Sequence, residues 1–220
     1  MSSGVGVREQ SDDGGMTAGT SDEGFAQTGE DKTLWDIATA MRKLGPLASM
    51  AQVAREAGLT PAALYQRFPT PDVLRSRLAE AFYDRLLSHA EQIPSLPVDQ
   101  QLEHFLRTVG LHLALSHSVL PDAFGEMASP AQRERIYALT ADLLEQGKQA
   151  GVVAADVALS DIAAAVWGLR GVIATADTLA PDAWERHLDV VVAGLRNPHI
   201  TFSRPPLDAE LLDRVIHRPA

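Results

Sequence analysis

Between Ser49 and Phe68 the chain reads S-M-A-Q-V-A-R-E-A-G-L-T-P-A-A-L-Y-Q-R-F. The side chains in it with usable chemistry are two hydroxyls, a phenol, amides and guanidinium groups. Ser49 and Thr60 each stand where a helix cap is expected, and Pro61 follows Thr60 at the first helical position. Leu64 and Phe68, four residues apart, share one side of that helix, which leaves Pro61, Ala62, Ala63, Tyr65, Gln66 and Arg67 on the exposed side. A short helix with such a face fits a DNA major groove, which is about 12 Å wide. Hydroxyl and phenol groups suit phosphate oxygens, and Arg67 suits a guanine edge or the backbone. One bidentate contact of that kind is worth about 1–3 kcal/mol in discrimination between bases.

Other chemistries find little support in the residues. There is no Cys, no G-x-S-x-G, no phosphate-binding glycine loop and no H-E-x-x-H, and the acids recur at surface salt-bridge spacing. His104, His112 and His117 are spaced by eight and five, which does not gather three imidazoles on one helix face. No catalytic residue, metal site or cofactor is therefore expected.

The elements that would hold the Ser49–Phe68 stretch are helical throughout, because apolar residues recur at helical spacing and no strand alternation appears. A first helix is predicted over 32–44, stopped by Gly45-Pro46. Helices follow over 50–57 and 61–68, with Gly58 in the turn between them, and a long fourth helix over 71–92 begins with Thr70-Pro71. Further helices are predicted over 98–117, near 120–127, and over 130–151, 161–178 and 182–196. An amphipathic patch, 207–216, has no evident placement. Residues 1–31 are Gly, Ser, Thr and acid-rich, and are expected to form a disordered tail.

Composition agrees with an all-α chain: 45% of residues are hydrophobic but only 5% aromatic, so small and aliphatic side chains fill the interior. The net charge of −10 runs against nucleic-acid binding until its distribution is considered. Residues 31–78 carry seven basic and four acidic residues, whereas the segments on both sides are acidic. Phosphate attraction depends on this local field. The longest apolar stretches are interrupted by Arg170 and Asp189, so no membrane span is expected, and the absence of Cys fits a cytoplasmic protein.

The stretch resembles the helix-turn-helix of the TetR family of bacterial repressors. The resemblance rests on Ser49, Val53-Ala54, Ala57-Gly58-Leu59, Thr60, Leu64-Tyr65, Phe68-Pro69 and Leu74, and closely covers about 45 residues. L-L-E-Q-G-K-Q-A-G-V-V and W-G-L-R-G-V resemble the family's second domain more loosely. The resemblance implies a DNA-binding domain over 32–78 (motif 49–68), an effector-binding and dimerisation domain over 79–196, and a C-terminal extension over 197–220. It implies that Ser49, Thr60 and Tyr65 hold phosphates and that Pro61, Ala62, Ala63, Gln66 and Arg67 lie in or beside the groove. Pro71 stands where the family usually has Lys, so a phosphate anchor is missing unless Arg75 or Arg42 replaces it.

For the second domain, Phe82, Phe105, His112, Phe124, Met127, Tyr137, Trp167 and Arg170 are candidates for an effector pocket, with Trp167 and Arg170 foremost. Ala164, Gly168, Gly171 and Ala174, with Trp184, Leu188, Val191 and Leu195, are candidates for a homodimer contact through the last two long helices. The function implied is a ligand-responsive transcriptional regulator, a repressor released from operator DNA by a small molecule. The alternative is a helical interaction protein of the same fold with weak or lost DNA binding; an enzyme in a helical bundle ranks last.

Overall fold

The computed structural model describes residues 29–45, 47–117, 119, 128–176 and 179–216, with the side chains of 29–31 and 216 excluded. Among them are nine α-helices and no strand. The helices are α1 (Gly29–Leu44), α2 (Met50–Glu56), α3 (Pro61–Arg67), α4 (Pro71–Ala90), α5 (Val98–His117), α6 (Pro130–Gln149), α7 (Leu159–Ala176), α8 (Ala183–Leu195) and α9 (Ala209–Ile216). A 3-10 turn, Ile93–Ser95, links α4 to α5 where two prolines interrupt the helical pattern. The acidic tail, the helix expected near 120–127, and the candidates Phe124 and Met127 lie outside the described residues.

Start signals read from the sequence operate as physical caps. Thr60 accepts from the Ala63 amide at 3.1 Å and Thr70 from the Val73 amide at 3.2 Å, each satisfying one of the donors a helix N-terminus leaves open. Ser129 and Gln132 form a capping box at the start of α6. Gly45 and Gly58 adopt φ of +81° and +73°, a backbone region that costs a side-chain-bearing residue energy and a glycine almost none.

Two apolar cores form, and α4 belongs to both. Leu34, Ile37, Val53, Ala54, Leu64 and Phe68 pack with Leu74, Leu78 and Ala79 from the first half of α4. Leu86 and Ala90, from its second half, pack instead with residues of α5, α6, α7 and α8. Val119, just beyond α5, closes the first core. Trp35 and Phe82 meet at 6.3 Å between ring centroids, and Arg85 lies 4.4 Å above the Trp35 ring, binding α1 to the middle of α4.

The apolar stripe of α8 is used inside the chain, contrary to the sequence-based expectation. Trp184, Leu188 and Leu195 are buried, with Leu188 at 0% exposure, and Val191 packs against the same core. The stripe that spacing alone offers to any neighbour is taken by α5 and α7 of the same chain. Gly168 also serves this internal packing, because a Cβ there would stand 2.9 Å from His187 Nε2. Ala164, Gly171 and Ala174 remain exposed on α7, as do Val190 and Ala193 on α8.

One helix among the described residues, α7, is long and apolar enough to cross a membrane by length and composition. The interruption by Arg170 does not exclude it on that test. It nevertheless packs within the bundle, burying Ile162, Leu169 and Ile173.

Gly110 brings α5 and α8 together, since a Cβ on it would lie 2.4 Å from the buried Trp184 ring. Gly110→Ala is expected to cost about 1–3 kcal/mol through overpacking, read as a lowered urea midpoint with an unchanged slope. A midpoint equal to that of the unsubstituted chain would show that the two helices do not approach this closely.

Candidate functional site

The turn between α2 and α3 is built from the smallest side chains in the stretch. Ala54 is fully buried at the crossing, and the Leu59 amide donates to the Ala54 carbonyl at 2.8 Å across Gly58. Val53, Leu64 and Phe68 lock the two helices from below, at 3%, 0% and 2% exposure. Because burial takes Leu64 and Phe68 inward, Ala62, Ala63, Tyr65, Gln66 and Arg67 are exposed together and Pro61 is half-buried. Tyr65 presents 47% of its surface, high for an aromatic that serves only packing. All eight residues expected to meet DNA lie on α3 or at the caps of α2 and α3.

Their hydrogen bonds separate the two hydroxyls. Ser49 Oγ donates to Gln52 Oε1 at 2.8 Å, and the same oxygen of Gln52 accepts from the Ser49 amide at 2.9 Å. Its proton is therefore committed to the capping box. The Thr60 hydroxyl accepts from the Ala63 amide.

Exposed cations occur on α1, α2 and α3. Arg42, Lys43, Arg55 and Arg67 are exposed; Lys43 pairs with Glu56, and the Arg67 guanidinium lies 5.8 Å from the Phe68 ring centre. Arg75 pairs with Asp72 at 2.8 Å on its own helix. Such an exposed pair is worth at most about 1 kcal/mol, so a phosphate can displace the carboxylate.

A second candidate site is a cavity of about 470 Å³ inside the bundle, within the range of small-molecule pockets. Its wall is mostly apolar. Phe105 from α5, Tyr137 from α6, and Trp167 and Arg170 from α7 all contribute to it. Tyr83 and Leu86 of α4 also line it, so the helix that begins in the first core forms part of the cavity wall. Thr140 adds a hydroxyl that donates to the Ile136 carbonyl at 2.6 Å.

Two expected pocket residues are placed elsewhere. Phe82 packs on the first core and Trp35, because its position on α4 turns it away from the bundle interior. His112 is 5% exposed and faces α4, where its Nε2 lies 3.2 Å from His89 Nδ1. One of these nitrogens must donate and the other accept, so the contact requires at least one neutral imidazole. Periodicity could not locate this pair, whose members are 23 residues apart.

Gln132 ties the cavity wall to α4. Its side-chain amide donates to Asp84 Oδ1 at 2.8 Å and to the Glu80 carbonyl at 3.3 Å. It lies beside Pro130 and Arg133, which line the cavity. This cross-helix contact carries no signal in the local sequence beyond the capping box that orients the glutamine.

Comparison with known proteins agrees with this arrangement. Residues 98–197 match the family model described as the C-terminal domain of SbtR-like transcriptional regulators. The chain is also similar to the crystal structure of the TetR transcriptional regulator SCO0520 from Streptomyces coelicolor. That likeness has 26% identity and a TM-score of 0.58, and covers 76% of this chain and 97% of that one.

The chain has the fold of TetR-family transcriptional regulators, and its residues 98–197 match a TetR C-terminal domain model.

A TetR regulatory protein from Mycobacterium vanbaalenii shows the same fold at 24% identity and a TM-score of 0.57, covering 76% of this chain and 95% of that one. No curated protein matches the sequence significantly.

Burial, reinforced by His89 and Arg85, pushes the His112 imidazole down from its ordinary 6.5 to about 4. The unfolded chain therefore binds the extra proton first. Stability contributed by the neutral ring is fully present above pH 6.5 and is lost as pH falls from 6.5 towards 4. The full loss is on the order of 3 kcal/mol. His112→Gln is expected to flatten this part of the stability-against-pH curve; an unchanged slope would remove His112 as its source.

Proposed function

We propose that the chain is a repressor that binds operator DNA as a homodimer and is released by a small molecule held in the bundle cavity. The observation that carries this reading is α4, which supports α3 in one core and lines the cavity in the other. On this reading residues 32–78 bind DNA, and 79–196 hold the ligand and the partner. Thr60 and Tyr65 take phosphates, while Gln66 and Arg67 lie against base edges with Pro61, Ala62 and Ala63 near thymine methyls. Ser49 serves mainly as a cap. Arg42 and Arg75 take the place of the lysine absent at Pro71.

Two α3 helices must be spaced by about one turn of DNA to read a palindrome, which requires a dimer. The exposed faces of α7 and α8, with Ala164, Gly171, Ala174 and Val190, supply the small and apolar surface for that contact. A ligand in the cavity shifts α4, and through it the spacing of the α3 helices. Coupling of this kind is typically about 1–3 kcal/mol.

Gel shifts with the DNA upstream of the chain's own gene test the reading. Salt-sensitive binding is expected, and Arg67→Ala or Tyr65→Ala should weaken it by about 1–3 kcal/mol, roughly five- to 150-fold. No shift at low salt would favour instead a helical interaction protein without DNA binding, a reading that Pro71 keeps open. Sedimentation tests the dimer: Val190→Asp should convert it to monomer, and an unaffected dimer would place the contact elsewhere.

A further inference from the structure

Residues 209–216 form α9, which the structure lays along the effector cavity. One side of it, with Ala209, Leu212 and Asp213, belongs to the cavity wall. Leu212 is 3% exposed, while residues 201–211 and 213–215 are all exposed. A single leucine is thus the buried apolar anchor of the described chain from 201 to 215. Burial of that one side chain contributes about ten- to a hundredfold to the docked form.

The helix is also built to move as a unit. Asp208 caps it, accepting from the Leu211 amide at 2.7 Å through its side chain and from the Leu212 amide at 2.9 Å through its carbonyl. Residues 201–207, which include Pro205 and Pro206, contain no helix or strand and connect α9 to the bundle. With α9 docked, the cavity still measures about 470 Å³ and stays partly open, so the helix borders the space without filling it. The charged side chains in the wall, Arg133, Glu134, Arg170 and Asp213, sum to zero, and the remainder is mainly apolar. An ion entering would lose hydration without meeting a net countercharge.

We propose that α9 is a hinged cover of this cavity, lifting at Leu212 to admit an uncharged, largely apolar molecule and closing over it. The proposal rests on reading the cavity as a ligand site. Its test compares Leu212→Asp with Leu211→Asp, which places the same charge on the exposed side of the same helix. Both are made in a Trp35→Phe background, where Trp184 is buried and Trp167 reports on the cavity.

Leu212→Asp is expected to raise acrylamide quenching of Trp167 by about twofold or more, as an opened wall admits solvent. Leu211→Asp is expected to match the background. Nile red, an uncharged apolar dye, is expected to leave the Leu212→Asp protein about tenfold faster, in line with the loss of one buried leucine contact. Equal quenching in the two variants overturns the cover. Failure of Nile red to bind the unsubstituted chain overturns the ligand-site reading, and with it the admission of an apolar molecule, whatever the quenching shows.

Discussion

The structure depends on one helix being shared by two cores. Along its 20 residues α4 buries Leu74, Leu78 and Ala79 against the helix-turn-helix, then Leu86 and Ala90 against the bundle. Close-packed interiors do not deform continuously, so neither core can shift its α4 residues without displacing the other's. A boundary drawn at residue 78 therefore falls inside an unbroken helix. Trp35, Phe82 and Arg85 brace the middle of that helix, and Gln132 holds it from the side of α6.

The geometry of α3 is a consequence of small residues and caps more than of its own polar groups. Ala54 and Gly58 permit the steep crossing, and Leu64 and Phe68 decide which side of α3 is hidden. The polar face is what remains. For this reason Tyr65, Gln66 and Arg67 are exposed side by side. Ser49 differs from Thr60 because its capping box draws the hydroxyl proton inward.

The helix-turn-helix was legible because its determinants are local. Caps, a glycine with positive φ and an i, i+4 pair of large apolar residues act within a few bonds of one another. The bundle was less legible because its determinants are contacts between distant segments. Trp184, Leu188 and Leu195 form a stripe that would suit a partner subunit equally well, and only the presence of α5 and α7 beside it makes it interior. Phe82 and His112 were likewise plausible cavity residues by type, and helix rotation placed them elsewhere.

By itself the sequence carried most of the helices to within a few residues, the caps that start α2, α3, α4 and α6, the exposed side of α3 and a resemblance to the TetR family. Backbone hydrogen bonding and side-chain periodicity are short-range, so these features survive without knowledge of the neighbours. Tertiary structure alone decided which apolar stripe faced which helix, where the His89–His112 pair formed, and that α9 lies along the cavity. Those outcomes depend on the competition among surfaces for the same burial, and no single segment contains that information.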